Sequence, residues 1–141
     1  MTTPLIKSFH YHTPIERVWA ALTETDQMKQ WYFPQLQEFE PVVGFIFRFD
    51  DDSAAYRKEW VVTRLVTGKT LAHSWAYKGY PGSSEVLFEL LAVGNTTTLS
   101  VTQTGLESFP DDPHFQRARF ERGWDNLLGK NLRHLLEPAE E

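Results

Sequence analysis

Cysteine is absent from the chain, which removes disulfides, thiol catalysis and cysteine-based zinc sites at once. Basic residues are outnumbered: 14 Lys and Arg stand against 19 Asp and Glu, for a net charge of −5. A nucleic-acid or anionic-membrane partner would want a basic face, so neither is expected. No apolar run approaches the ~20 residues of a membrane span, and the first residues lack the basic-then-apolar pattern of a secretory signal. A cytoplasmic protein with no membrane insertion is the expectation. The triplet Asn95-Thr96-Thr97 matches a glycosylation acceptor, but without a secretory signal it reads as a turn.

The usual signatures of chemistry are also missing. No Gly-x-Ser-x-Gly elbow occurs. Asp50-Asp51-Asp52 lacks the glycine and closing glutamate of a calcium loop. From Gly123 to Gly129-Lys130 the spacing is one residue too long for a phosphate loop, and Asn131 stands where Ser or Thr belongs. His10 and His12 share one strand face, yet no third ligand is indicated and that face should be solvated. Neither a metal nor a cofactor is expected.

What the chain does have is aromatic surface. Ten Phe, five Trp and five Tyr make 14% of the residues, more than a plain core of this size usually carries. Flat, rigid side chains also line ligand pockets, so the excess points that way. The 141 residues suit one domain, taken as 1–141, which at this size buries enough surface to need no staple.

Along the chain, Leu5, Phe9 and Tyr11 alternate with Ser8, His10 and His12, which reads as a first strand. Thr13-Pro14-Ile15-Glu16 reads as a capped helix start, with Ile15, Val18, Trp19 and Leu22 at helical spacing. A second short helix begins at Thr25, carries Met28 and Trp31, and stops at Pro34. Period-two patterning then runs from residue 36 to 105. Gly44 opens a strand with Phe45, Phe47 and Phe49 on one face, and Asp50 to Ser53 turn into a strand over 56–66. Leu71, His73, Trp75 and Tyr77 share a face, as do Val86, Phe88 and Leu90. Gly94-Asn95 makes a tight turn before Leu99 and Val101. A final helix of about 24 residues, roughly 36 Å, runs from a cap at Asp111 or Asp112 with Pro113 in its first turn to Pro138. Its stripe is Phe120, Trp124, Leu127, Leu128, Leu132 and Leu135. An apolar-faced sheet and a helix of matching length must bury each other.

The order is strand, two short helices, six strands and a long helix. The segment from Thr13 through Trp19 to Thr23, followed by Trp31, resembles the opening of the activator of heat-shock-protein-90 ATPase homologue branch of the SRPBCC (START-like, Bet v allergen-like) superfamily. Leu71…Trp75, Ser84–Leu90, Thr98–Gly105 and Gly123-Trp124 with Leu127 and Leu132 resemble that branch's later strands and final helix. The likeness spans about residues 5–137. One departure is Arg64, where the branch usually carries an acid. The resemblance implies an α+β helix-grip fold: a curved antiparallel sheet of about six or seven strands wrapped around the long C-terminal helix, with two short helices after the first strand. It also implies an internal cavity, and homodimers occur among such relatives.

In such a fold, Phe47, Phe49, Trp75, Tyr77, Phe88 and Trp124 are the expected lining, with Trp31 and Phe33 near the mouth. The plain alternative is that these rings fill the core. His73 falls on the inward face and is either a general acid/base or a histidine satisfied by a neighbouring hydroxyl. Gln103 and Asn131 also read as inward, and a buried amide there needs a partner. Three functions follow as expectations. The first is binding or carriage of a small hydrophobic ligand, aromatic or lipid-like. The second is a cavity enzyme of cyclase, dehydratase or hydrolase type using His73, with Tyr77 or Gln103 polarising a carbonyl. The third, implied by the branch name, is a module that regulates a chaperone ATPase.

Overall fold

The computed structural model describes residues 3–50 and 57–137. The expected turn at Asp51, Asp52 and Ser53 and the expected helix stop at Pro138 lie outside them. A five-stranded antiparallel sheet forms from β1 (Leu5–Tyr11), β4 (Val62–Val66), β5 (Thr70–Trp75), β6 (Ser84–Val93) and β7 (Thr96–Thr104), in the order β1-β7-β6-β5-β4. Period-two patterning sets its faces: Val86, Phe88 and Leu90 of β6 and Leu99 and Val101 of β7 are buried, while Glu85 and Glu89 are exposed. Gly94 opens the two-residue β6–β7 loop with φ +62°, and Asn95 keeps negative φ. Glycine at the first loop position is what a type II′ hairpin requires.

The strand β2 (Leu36–Glu38) pairs with β3 (Arg48–Phe49) in a separate small sheet. The expected strand from Gly44 is thus only two residues long at its regular end. Phe45 and Phe47 nevertheless continue the larger sheet beyond β4, through Val62 N–H to Phe45 O and Phe47 N–H to Trp60 O, both 2.9 Å. The expected strand over 56–66 narrows to 62–66, preceded by single bridges at Lys58 and Val61. With that qualification, the architecture is the helix-grip arrangement.

The helices α1 (Ile15–Thr23) and α2 (Thr25–Trp31) follow β1 and lie against each other, with the Trp31 indole donating to Ala21 O at 2.7 Å. Thr13 does not cap α1. The residue next to the helix is Pro14, extended at ψ 155°, and it offers no side-chain acceptor. Thr13 is buried instead, and its carbonyl accepts from the Thr97 hydroxyl at 2.8 Å.

The last helix also starts later than its Asp-Pro signal. Pro113–Phe115 forms a 3₁₀ turn, Gln116 is extended at ψ 142°, and only then does α3 (Arg117–Asn126) begin. A π-helical stretch, Leu127–Leu132, carries it into α4 (Arg133–Leu136). From 117 to 136 this makes about 30 Å rather than 36.

The π stretch has a cause in the sequence. The most buried residues of this helix are Phe120, Trp124, Leu128, Leu132 and Leu136, spaced four apart. At 3.6 residues per turn each step of four would swing the stripe round by about 40°. A π turn takes in about one extra residue, which underwinds the helix and returns the stripe to the sheet. Tyr11 of β1 donates its hydroxyl to the Leu128 carbonyl, at 2.6 Å, inside this widened turn.

Gly82 fixes the loop before β6. Its φ is +97°, and a Cβ there would overlap the Ser108 carbonyl oxygen and stand 2.9 Å from Phe109 Cα. Ser108 Oγ holds the same loop by accepting from Ser83 N–H at 2.9 Å. Gly82→Ala is therefore expected to lower unfolding free energy by about 2–3 kcal/mol in a urea titration. A loss below about 0.5 kcal/mol would mean that the contact relaxes freely.

Candidate functional site

The space between sheet and last helix is largely filled. Trp60, at 0% exposure, sits at the centre of it. Its ring lies 4.3 Å from Trp75, 4.7 Å from His73 (near-parallel), 5.4 Å from Tyr32 and 5.4 Å from Phe33. Its Nε1 has no hydrogen-bond partner among the described residues. Gln103 accepts from the Trp124 indole at 2.9 Å through Oε1, while its own Nε2 is also unpartnered.

His73 is in this packed centre. Its Nδ1 lies 2.8 Å from Ser74 O, an acceptor only, so Nδ1 carries the hydrogen. Nε2 then accepts from the Tyr32 hydroxyl at 2.9 Å. Complete burial pushes the imidazole down to about 4, against a smaller upward pull from the Ser74 carbonyl. Burial, and then the nearby Tyr77, hold the Tyr32 hydroxyl well above its ordinary range. Both groups are neutral at pH 7, and both ring nitrogens of His73 are occupied.

Open volume lies to one side. A cleft of about 460 Å³ separates one flank of α3 from the end of β5 and the residues beside it. Its floor is Trp75, Tyr77, Phe120 and Trp124, with Phe33 and Leu127 at the sides. The helical wall is completed by Arg119, Arg122, Gly123 and Asn126, at the spacings of one helix flank. Lys58 completes the rim, its ammonium 4.6 Å above the Phe33 ring and 5.2 Å above that of Phe49. The Trp75 indole donates to Tyr77 Oη at 2.8 Å, and the Trp124 indole to Gln103, so both floor N–H groups are satisfied within the protein. Among the described lining residues there is no carboxylate, histidine, serine or threonine. Such a cleft can hold an apolar body.

Of the expected site residues, Phe33, Trp75, Tyr77 and Trp124 line the cleft. Trp31, Phe47, Phe88, His73 and Gln103 are buried in the packed centre, and Phe49 is half-buried beside Trp60. Asn131 is exposed rather than buried, because the π turn places Leu128 and Leu132 on the sheet side. Its amide donates to Trp31 O at 3.3 Å, tying the helix to α2. Sequence reasoning missed Trp60, Tyr32, Lys58, Arg119 and Arg122. A signal existed for two of them: Arg119 and Arg122 lie three apart beside Phe120 and Gly123, at the border of the apolar stripe.

Residues 12–137 match the family described as Activator of Hsp90 ATPase homolog 1-like protein. No curated protein shows significant sequence similarity to the chain. Among solved structures, a protein of Chromobacterium violaceum is similar at 22% identity and TM-score 0.77, covering 99% of this chain and 100% of that one. The Aha1 dimer from Colwellia psychrerythraea is similar at 22% identity and TM-score 0.76, covering 99% and 100%. An HSP90 activator from Plasmodium falciparum is similar at 18% identity and TM-score 0.70, covering 95% and 94%. At such identities these likenesses establish the fold and leave activity open. The helix-grip architecture and the match over residues 12–137 together place this chain in the Activator of Hsp90 ATPase homolog 1-like family.

Proposed function

We propose that this chain binds a small hydrophobic molecule in the cleft between α3 and the end of β5. The observation that carries the reading is the aromatic floor of Trp75, Phe120 and Trp124 under about 460 Å³ of open space. Ligand sites are commonly ~300–1,000 Å³, concave and lined by aromatics. Trp75 and Trp124 are almost completely buried and held by hydrogen bonds to Tyr77 and Gln103. Ligand entry therefore needs little rearrangement of the floor. Catalysis by His73 receives no support from this geometry, since the ring sits outside the cleft with both nitrogens engaged. Regulation of a chaperone is known of one structural neighbour by its name and is carried here by no feature of the site.

Gly123 provides the test. It lies mid-helix on the cleft wall, and a Cβ there would meet nothing within 4 Å. Glycine inside a helix costs about 0.8–1.0 kcal/mol relative to alanine. Gly123→Ala is thus expected to raise stability by roughly that amount, while Gly123→Leu projects a branched side chain from the same open position and narrows the cleft. Native mass spectrometry of protein purified gently from its own host should show a discrete bound molecule, recoverable by organic extraction and absent from Gly123→Leu. Equal occupancy in the wild type and the folded leucine variant would rule out this cleft. The same spectra read self-association, which we include in the proposal because the Colwellia relative is a dimer.

A further inference from the structure

We infer that the ligand of the cleft is an amphipathic anion: a flat apolar body carrying one carboxylate, sulfonate or phosphate, met by Arg119 and Arg122 at the rim. The inference rests on the cleft being the binding site. Its starting point is a charge anomaly. The chain as a whole carries −5, yet among the described residues the helical wall of this opening carries two arginines, Arg119 and Arg122, and no acid.

The acids of α3 are committed elsewhere. Glu121 pairs with Arg117 at 3.3 Å, and Asp125 pairs with Lys7 of β1 at 2.7 Å. Among the described residues, neither Arg119 nor Arg122 has an ion-pair or hydrogen-bond partner. They stand three residues apart, on neighbouring turns of one flank, where two guanidinium forks can converge on one anionic group. Lys58 is engaged with the Phe33 and Phe49 rings and is no free donor. An anion at this rim would sit against apolar walls, where a lower local dielectric strengthens attraction beyond its value in open water. The competing explanation is that the arginines lie along the helix as solvated side chains covering apolar surface. That explanation gives no preference for a charged ligand.

Two dyes with the same body separate the readings. The sulfonate 8-anilinonaphthalene-1-sulfonate and the neutral N-phenyl-1-naphthylamine can be titrated into folded protein by energy transfer from tryptophan. At low salt the sulfonate should bind at least about tenfold more tightly. The double variant Arg119→Gln, Arg122→Gln should remove that advantage, bringing the two dyes to within about twofold of each other. Equal affinities in the wild type, with no effect of the double variant, would overturn the anionic inference and leave the cleft standing. Failure of both dyes, or binding that persists in folded Gly123→Leu, would remove the cleft itself. Co-sedimentation with phosphatidylglycerol vesicles that depends on the two arginines, with no preference between the free dyes, would reassign them to a membrane surface and overturn the proposal.

Discussion

Trp60→Ala is expected to lower the unfolding free energy by about 3–5 kcal/mol, while Trp60→Phe costs about 1 kcal/mol. Trp60 is fully buried and touches the rings of Tyr32, Phe33, Phe47, Phe49, His73 and Trp75. Truncation would leave a void among large, rigid rings that cannot collapse into it. Phenylalanine keeps most of the ring and also deletes the unpartnered Nε1–H, whose burial costs about 1–3 kcal/mol. Both variants delete this group, but the relief offsets only the small packing loss of Trp60→Phe and not the large void of Trp60→Ala. Urea unfolding at pH 7.5 measures both. A loss of about 3 kcal/mol or more in Trp60→Phe, against the expected ~1, would mean that Nε1 holds a stabilising partner. A domain of this kind has only about 5–15 kcal/mol in total, so the alanine variant should also lose soluble yield at 37 °C.

Lowering the pH from 7.5 to 5 is expected to cost roughly 2 kcal/mol through His73 alone, and on the order of 3 kcal/mol by pH 4. In the folded protein the imidazole is held down to about 4 by burial, whereas in the unfolded chain it titrates near 6.5. Below 6.5 the unfolded state takes up a proton that the native site refuses. The contribution is thus complete above 6.5 and is lost as pH falls toward 4. His73→Gln keeps a neutral group able to donate and accept but cannot titrate, so the wild type should lose roughly 2 kcal/mol more than the variant between pH 7.5 and 5. Parallel slopes for the variant and the wild type would show that His73 is not the group responsible.

Elements whose residues answer only to their immediate neighbours are legible in the sequence itself. Alternation in β6 and β7 and the Gly94-Asn95 turn settle that hairpin. Helical spacing from Ile15 and from Thr25 settles α1 and α2. Where two signals compete, the sequence misleads. Asp112-Pro113 is a strong helix start, yet it opens only a 3₁₀ turn, since Gln116 breaks the run. Asn131 falls on the apolar stripe of an ideal helix and off it once the helix widens through the six-residue π stretch.

The cleft is harder to place from sequence. Inward faces of strands can be read from period two, but the gap between two inward faces cannot. Here Trp60 and Tyr32, from segments flanking the regular elements, fill the centre. The open space moves to the flank of α3, where Arg119 and Arg122 border it. The apolar half of the site is therefore partly visible in Phe33, Trp75, Tyr77 and Trp124. Its charged half lies in residues that an exposed helix face explains equally well.

The pairing of β1 with β7 has a consequence for how the chain is made. Leu5 and Gln103 are register partners, so the first strand leaves the ribosome 98 residues before its mate. At ~5–20 residues per second that is an interval of about 5–20 s. Throughout it Leu5, Phe9 and Tyr11 have no sheet to enter, and the Tyr11 hydroxyl waits longer still for Leu128. Native closure is thus deferred until β7 and the last helix have emerged. A nascent chain stalled anywhere before β7 presents an apolar strand to whatever lies nearby, and holding that strand apart falls to the ribosome surface and the chaperones around it.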